Sequence, residues 1–399
     1  MSKALTPEFA LLVEAARPTP ATAADRSSWA RASYERAVEA AAWHRLEPML
    51  AQHLAGDTGV PADLQARLQE RYFANAARSA FVAASLSAAL TALTAAGVEA
   101  MLLKGAALTA TVYDDPAVRE MLDVDMLVRS EQLDAAHAAL AALGYRSPPG
   151  SGEEQHSAGW MRANHHHDPA LVAEDGLLAI ELHHHIAMKD ERRHFDVAGL
   201  WERSRPHPTV PGHRLPAGED LLLHVGFHFT RNRLGGNHDR YGSGGALSQL
   251  GDMAWIVAAE PLDWSRLAAD SSAYRLDARL FLALFAAHEV GFDIPAEGLD
   301  ALRPAAFDPR VGRRLVGLRV LRSGRKLPVR SLRWMAAPPR EVLVSGWDGE
   351  PGARGSLARA YVRRARAQAP LARAALSRPW SVVQDYRLNG QIHALEHRE

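Results

Sequence analysis

The chain has 399 residues, 47% of them hydrophobic and 23% charged, a balance that excludes a wholly disordered chain and a collagen-like fibre. Its 46 Lys plus Arg equal its 46 Asp plus Glu, so a global basic charge for coating nucleic acid is absent and nucleic acid is not indicated as a partner. No cysteine is present, which excludes disulfides, thiolate zinc sites and a cysteine nucleophile.

At the N-terminus only Lys3 precedes a short apolar run interrupted by Glu8 and Glu14, a poor secretory signal. No run of 18 apolar residues free of charge is found, so no membrane span is expected and a cytoplasmic protein is the reading. Residues 1–96 are Ala-rich and read as a helical N-terminal domain. Leu11, Leu12, Ala15 and Ala16 share one helix face, and Pro18 and Pro20 end that helix. Two or three further helices fill 28–54 and 61–96.

The texture changes at Val98. The apolar run 98–103 reads as a buried strand ended by Lys104-Gly105, and 122–128 as a second strand. Ser130 looks like the N-cap of a helix over 131–143, with Gly144 as its stop. Residues 160–186 read as two strands around a turn at Glu174-Asp175-Gly176, the second being 177–186. Residues 97–210 form the expected sheet domain, 211–303 a helical C-terminal domain and 304–399 a basic helical extension. The stretch 310–378 holds 17 Lys or Arg against Glu341, Asp348 and Glu350. It reads either as a solvated arginine-rich helical extension or as a tail for an anionic partner.

Asp123 and Asp125 are one residue apart on an expected strand, so period-two alternation puts both on one face. Adjacent carboxylates repel unless a cation lies between them, and Mg²⁺ takes oxygen ligands of this kind together with substrate phosphates. Glu181, between Ile180 and Leu182, is a third strand acid facing a site. Three such acids can hold two metal ions for in-line phosphoryl displacement, the third acting as base. Gly105 lets backbone N–H groups approach a phosphate, the following helix adds its N-terminus, and Lys104 adds a point charge. Arg119 either neutralises a leaving pyrophosphate or pairs with Asp115 or Glu120.

The run Leu103-Lys104-Gly105-Ala106, then Tyr113, Arg119 and Leu122-Asp123-Val124-Asp125-Met126-Leu127-Val128, resembles the nucleotidyltransferase superfamily. It is most similar to an uncharacterised branch found beside natural-product and polysaccharide genes. The stretches 165–169 and 180–183, the helix with His224 and His228, Asp252 and Asp263-Trp264 resemble the same branch, so the likeness covers roughly 85–295. It implies an α+β fold: a small mixed-sheet, polymerase-β-like palm flanked by N- and C-terminal helical domains. It further implies transfer of NMP from an NTP with two Mg²⁺ and release of pyrophosphate, to an acceptor that does not carry over. By the same resemblance Gly105 is the phosphate-loop glycine, Asp123 and Asp125 the metal pair and Glu181 the third acid. Ala106 stands where the superfamily usually has Ser, so one hydroxyl contact to phosphate is missing.

Of 19 histidines, 13 lie between His156 and His238. His183, two past Glu181, shares that acid's face and can order it or touch a phosphate; His165 and His167 can line the neighbouring strand. His224 and His228, four apart on a helix, can share one ion or pack the helix, and no Glu follows the first His as a zincin requires. His166 and His184 read as bystanders. The rival functions are a degenerate palm that binds nucleotide or a partner without turnover, a D-x-D glycosyltransferase and a His-cluster metal hydrolase.

Overall fold

The structure is a computed structural model that describes residues 5–19, 29, 32–148, 158–187, 192, 194–234, 245–305 and 307–320. The basic stretch from 321 onward, His156 and His238 lie outside the described residues. The chain divides into two compact units built from interleaved segments. A helical unit takes 1–45, 225–254 and the chain from 275; a sheet unit takes 46–224 and 255–274.

Along the chain the helices are α1 (Pro7–Ala15), α2 (Tyr34–His44), α3 (Glu47–His53), α4 (Ala62–Ala95), α5 (Lys104–Thr111), α6 (Leu133–Ala142) and α7 (Ala158–Asn164). They continue with α8 (Val197–Arg203), α9 (Gly218–Phe229), α10 (Ala246–Ala259), α11 (Trp264–Ala273), α12 (Asp277–Glu289), α13 (Ala296–Leu302) and α14 (Pro309–Arg319). The strands are β1 (Ala100–Leu102), β2 (Asp123–Val128), β3 (Leu171–Val172), β4 (Ala179–His183), β5 (Arg205–Pro206) and β6 (Arg214–Leu215). Polar caps set several helix starts: the Thr6 hydroxyl accepts from Phe9 N–H, Asp263 from Arg266 N–H and Asp308 from Arg310 N–H.

In the sheet unit the six strands run in the order β3-β4-β2-β1-β6-β5. β1 pairs antiparallel with β2 and parallel with β6; β2 pairs parallel with β4. This is the expected mixed sheet within an α+β fold, and it extends to Leu215. Val124 and Met126 are fully buried on one face of β2. On the other face the strand begins with Asp123 and Asp125 and ends with Leu127, which joins Met101, Leu103, Ile186, Leu200 and Trp201 in a hydrophobic cluster. One strand face therefore changes from acidic to apolar along its length.

The strand expected from residue 160 is corrected: 158–164 form helix α7, and the hairpin strand is only β3. The stretch Ala-Gly-Trp-Met-Arg-Ala-Asn lacks the β-branched residues that favour a strand. The expectation about membrane spans also needs amendment. Helix α4, 34 residues with a window of mean hydropathy 1.4, is long and apolar enough to cross a membrane by length and composition. In the structure its polar side chains grip the sheet unit. Tyr72 donates to Asp115 Oδ2 at 2.7 Å and Asn75 to the Ala117 carbonyl at 2.6 Å. Arg78 donates to the carbonyls of Met121, Leu122 and Leu177 at 3.0–3.1 Å.

In the helical unit α1 packs on α2, and α12 on α13 and α14. Leu11, Leu12, Phe229, Leu250, Met253, Phe281, Leu284 and Phe292 are buried there.

Candidate active site

Parallel pairing of β2 with β4 sets Asp125 directly opposite Glu181 and Asp123 opposite Ala179. The acid face of β2 thus meets the acid of β4 at one level of the sheet. Asp125 is 3% exposed, whereas Asp123 is exposed at the strand's start and Glu181 is half-buried. Beside them β1 runs into α5. Leu103 N–H donates to the Asp125 carbonyl at 3.0 Å, and Lys104 then takes a left-handed φ of 44°. For a non-glycine residue that conformation costs about 1 kcal/mol or more. In return the Lys104 ammonium lies 2.6 Å from Asp125 Oδ1. The same oxygen accepts from His183 Nε2 at 2.8 Å, and His183 Nε2 is 3.7 Å from Glu181 Oε2.

The electrostatics follow from this geometry. Burial alone would raise the Asp125 pKa, but the Lys104 charge and the His183 hydrogen bond outweigh it and hold the carboxyl well below its usual value. Glu181 behaves alike: burial raises its pKa, and the His183 hydrogen bond carries the net shift downward. Burial disfavours charge on His183, yet its bonds to Asp125 and Glu181 prevail and raise its pKa. Lys104 is raised against burial by Asp125 and Glu181. Two carboxylates are thus kept ionised by an ammonium and an imidazole.

A wall of histidines flanks the cluster. His167 forms a β-bridge to His183 and places Nε2 4.0 Å from Glu181 Oε2, its charged form disfavoured chiefly by burial. The His166 and His167 rings each lie 5.1 Å from that of His183. Behind them the buried Asp168 accepts from His137 Nε2 at 2.9 Å and Arg162 Nε at 3.2 Å, and its N–H donates to the Leu182 carbonyl.

The donor set suits a divalent cation. Ligand atoms of Asp125, Glu181 and His183 all lie within 4.8 Å of one another, the one such group among the described residues. Two hard carboxylates suit Mg²⁺; the imidazole suits it less well. His183 therefore fits better as the group that orients Asp125.

The other sequence candidates fall around this centre. Gly105 and the buried Ala106 lie in the first turn of α5. A methyl group at Gly105 would stand 3.4 Å from Met121 Sδ; the left-handed backbone belongs to Lys104 instead. Arg119 donates to the Glu120 carbonyl, and Asp115 is engaged by Tyr72 and by Ala117 N–H. His224 and His228 share α9 but belong to different units; within its own unit His228 contacts Asn232 at 2.6 Å and Gln249 at 3.3 Å.

Sequence reading missed the residues that hold the centre in place. Tyr72, Asn75, Arg78 and Ser79 of α4 bind the segment from Asp115 to Leu122, immediately before Asp123. Their three- to four-residue spacing on an otherwise Ala-rich helix was the available signal. His137 and Arg162, which converge on Asp168 from different helices, had none.

A mixed sheet flanked by helices, with an acid pair on one strand opposite a glutamate on the next, is the arrangement of the nucleotidyltransferase class. Residues 31–291 match the family model described as "uncharacterised nucleotidyltransferase", well over half of the chain, and the protein belongs to that family of transferases. No curated protein and no solved structure matches the chain.

Proposed function

We propose that the protein transfers an NMP from an NTP to an acceptor hydroxyl or phosphate, with two Mg²⁺ and release of pyrophosphate, in the cytoplasm. The observation that carries this reading is the register that sets Asp125 against Glu181, with Asp123 on the same face of β2. Bound Mg²⁺ supplies charge stabilisation to the attacking and leaving oxygens. Asp123 and Asp125 would hold the ions together with Glu181.

Glu181, kept ionised by His183, accepts the proton as the acceptor oxygen bonds to the α-phosphorus. The bond to the β-phosphate oxygen breaks, and pyrophosphate leaves with that electron pair. Lys104 exchanges Asp125 for the triphosphate, which meets the first-turn N–H groups of α5 at Gly105 and Ala106. Arg119 assists the leaving pyrophosphate. The acceptor is a sugar, an antibiotic, a peptide or a protein. In this reading 97–210 is the palm domain.

The test is a titration of each NTP with Mg²⁺ on the wild type, Asp123→Asn and Asp125→Asn, followed by pyrophosphate release with trial acceptors. Metal-dependent NTP binding that both substitutions remove is expected. Undiminished binding in either variant sinks the assignment.

A further inference from the structure

The helical unit contains a second charged centre that the proposed chemistry does not use. Arg45 follows α2 in a left-handed conformation, φ 57°, and is half-buried. Arg233 lies in a π-helical turn at Thr230–Leu234, a form that concentrates at functional sites. The two side chains converge on Gly245. A methyl group there would stand 3.2 Å from Arg233 Nη2 and 3.5 Å from Arg45 Cδ. Gly245 itself is left-handed (φ 96°), and its N–H is tied to the Trp43 carbonyl at 2.9 Å.

Arg233 Nε donates to Gln249 Oε1 at 3.0 Å, and among the described residues no other acceptor is seen for the guanidinium. Neither arginine has a carboxylate partner among the described residues. Burial, then the charge of Arg45, lowers the Arg233 pKa to about 10. Near Arg233 lies His44, 1% exposed, whose Nδ1 accepts from Leu247 N–H at 3.4 Å. The other nitrogen, Nε2, therefore carries the hydrogen, and it has no partner.

Two half-buried cations held side by side, with a buried unused donor near Arg233, repel each other and favour an anion that completes the cluster. We infer that Arg45 and Arg233, with His44 beside them, form a binding site for a phosphate group within the helical unit. A tetrahedral dianion matches the double charge and the two planar donor forks better than a single carboxylate does. The phosphate is either free or carried on a nucleotide, and the experiment separates these sources.

Calorimetry on the full chain in EDTA, with inorganic phosphate as the probe, compares wild type, Arg233→Gln, Arg45→Gln and Asp125→Asn. Phosphate is expected to bind wild type and Asp125→Asn alike and about 10- to 100-fold more weakly to either arginine variant, as loss of a charged hydrogen bond requires. Phosphate should also raise the melting temperature of the wild type and not that of Arg233→Gln. The half-exposed Arg45 provides the variant to rely on if Arg233→Gln does not fold. ATP displacing bound phosphate assigns the site to a nucleotide's phosphates, and ATP binding alongside it assigns it to free phosphate; both sustain the site. Absence of phosphate binding by the wild type, or equal affinity in the arginine variants, overturns it. Because Asp125→Asn is in the set, failure here is distinct from failure of the palm reading.

Discussion

In the sheet unit the buried carboxylate of Asp125 carries a lysine ammonium and a histidine on one oxygen. In the helical unit Arg233 has a second arginine beside it and no carboxylate partner among the described residues. Burial penalises the charge of both. The first is compensated from within the chain, so it is a centre already assembled, in which Lys104 holds the place that a cation is proposed to take. The second has no compensating carboxylate among the described residues, and an external anion is proposed to supply the counter-charge. One unit is thus poised to exchange its own cation for another, while the arginine pair of the other has no carboxylate beside it among the described residues.

The contrast is broken most forcefully at Asp125. Asp125→Asn should reduce metal-dependent NTP binding at least 100-fold. It should also destabilise the sheet unit by about 3–5 kcal/mol, because Lys104 is left buried without its partner. Asp123→Asn should produce the same functional loss with a stability change within about 0.5 kcal/mol, since that side chain is exposed. Chemical denaturation of the two variants side by side checks this. Equal destabilisation would mean that burial does not distinguish the two acids.

The helical unit can be probed through His44, whose pKa is lowered to about 4 by burial, then by Arg233. The ordinary value is about 6.5, so between these limits the unfolded chain binds more protons and stability rises with pH. Neutral His44 therefore contributes fully above pH 6.5, and up to about 3 kcal/mol is lost as pH falls toward 4. His184 and His185, also lowered to about 4 by burial, then by Arg192, act in the same direction in the sheet unit. His183 acts oppositely: its raised pKa makes its contribution full below about 6.5 and lost as pH rises through the folded value. His44→Asn, which keeps an acceptor for Leu247 N–H, should flatten part of the fall in melting temperature between pH 6.5 and 4.5. An unchanged slope would remove His44 from the account.

Arg78 tests whether the compensated centre needs outside support. Its guanidinium spans the carbonyls of Met121, Leu122 and Leu177 and so ties the entry of β2 to the loop before β4. Arg78→Met should cost about 1–2 kcal/mol and weaken Mn²⁺ binding several-fold by letting Asp123 drift from Glu181. Metal affinity equal to wild type would make Arg78 a stability residue only.

The sequence carried the centre because a period-two pattern is local: Asp123, Asp125 and the flanking Val124 and Met126 declare their faces without any partner strand. The strand with Glu181 was legible for the same reason. Not legible were the two-residue strands β5 and β6, too short for a periodic signal, and α7, whose Trp and Met resembled a strand's apolar positions. The grip of α4 on residues 115–122 was hidden as well. It joins residues some 40 positions apart, and its one local trace is the spacing of Tyr72, Asn75, Arg78 and Ser79 among the alanines. The division into units crosses the chain several times, and no composition shift marks such crossings.

The smallest effect on stability concerns Gly105, and it separates two reasons for having glycine there. Its φ is not left-handed, so an alanine meets no backbone strain. The added methyl would lie 3.4 Å from the sulfur of Met121, a flexible side chain that can give way. Gly105→Ala in the first turn of a helix should therefore leave stability unchanged or raise it by about 0.5 kcal/mol. If glycine is needed so that a triphosphate can approach the backbone, the same variant should bind NTP about tenfold more weakly. Unchanged binding alongside unchanged stability would shift the phosphate contact to Lys104, whose strained backbone would then be the feature that brings the polyphosphate to Asp125 and Glu181.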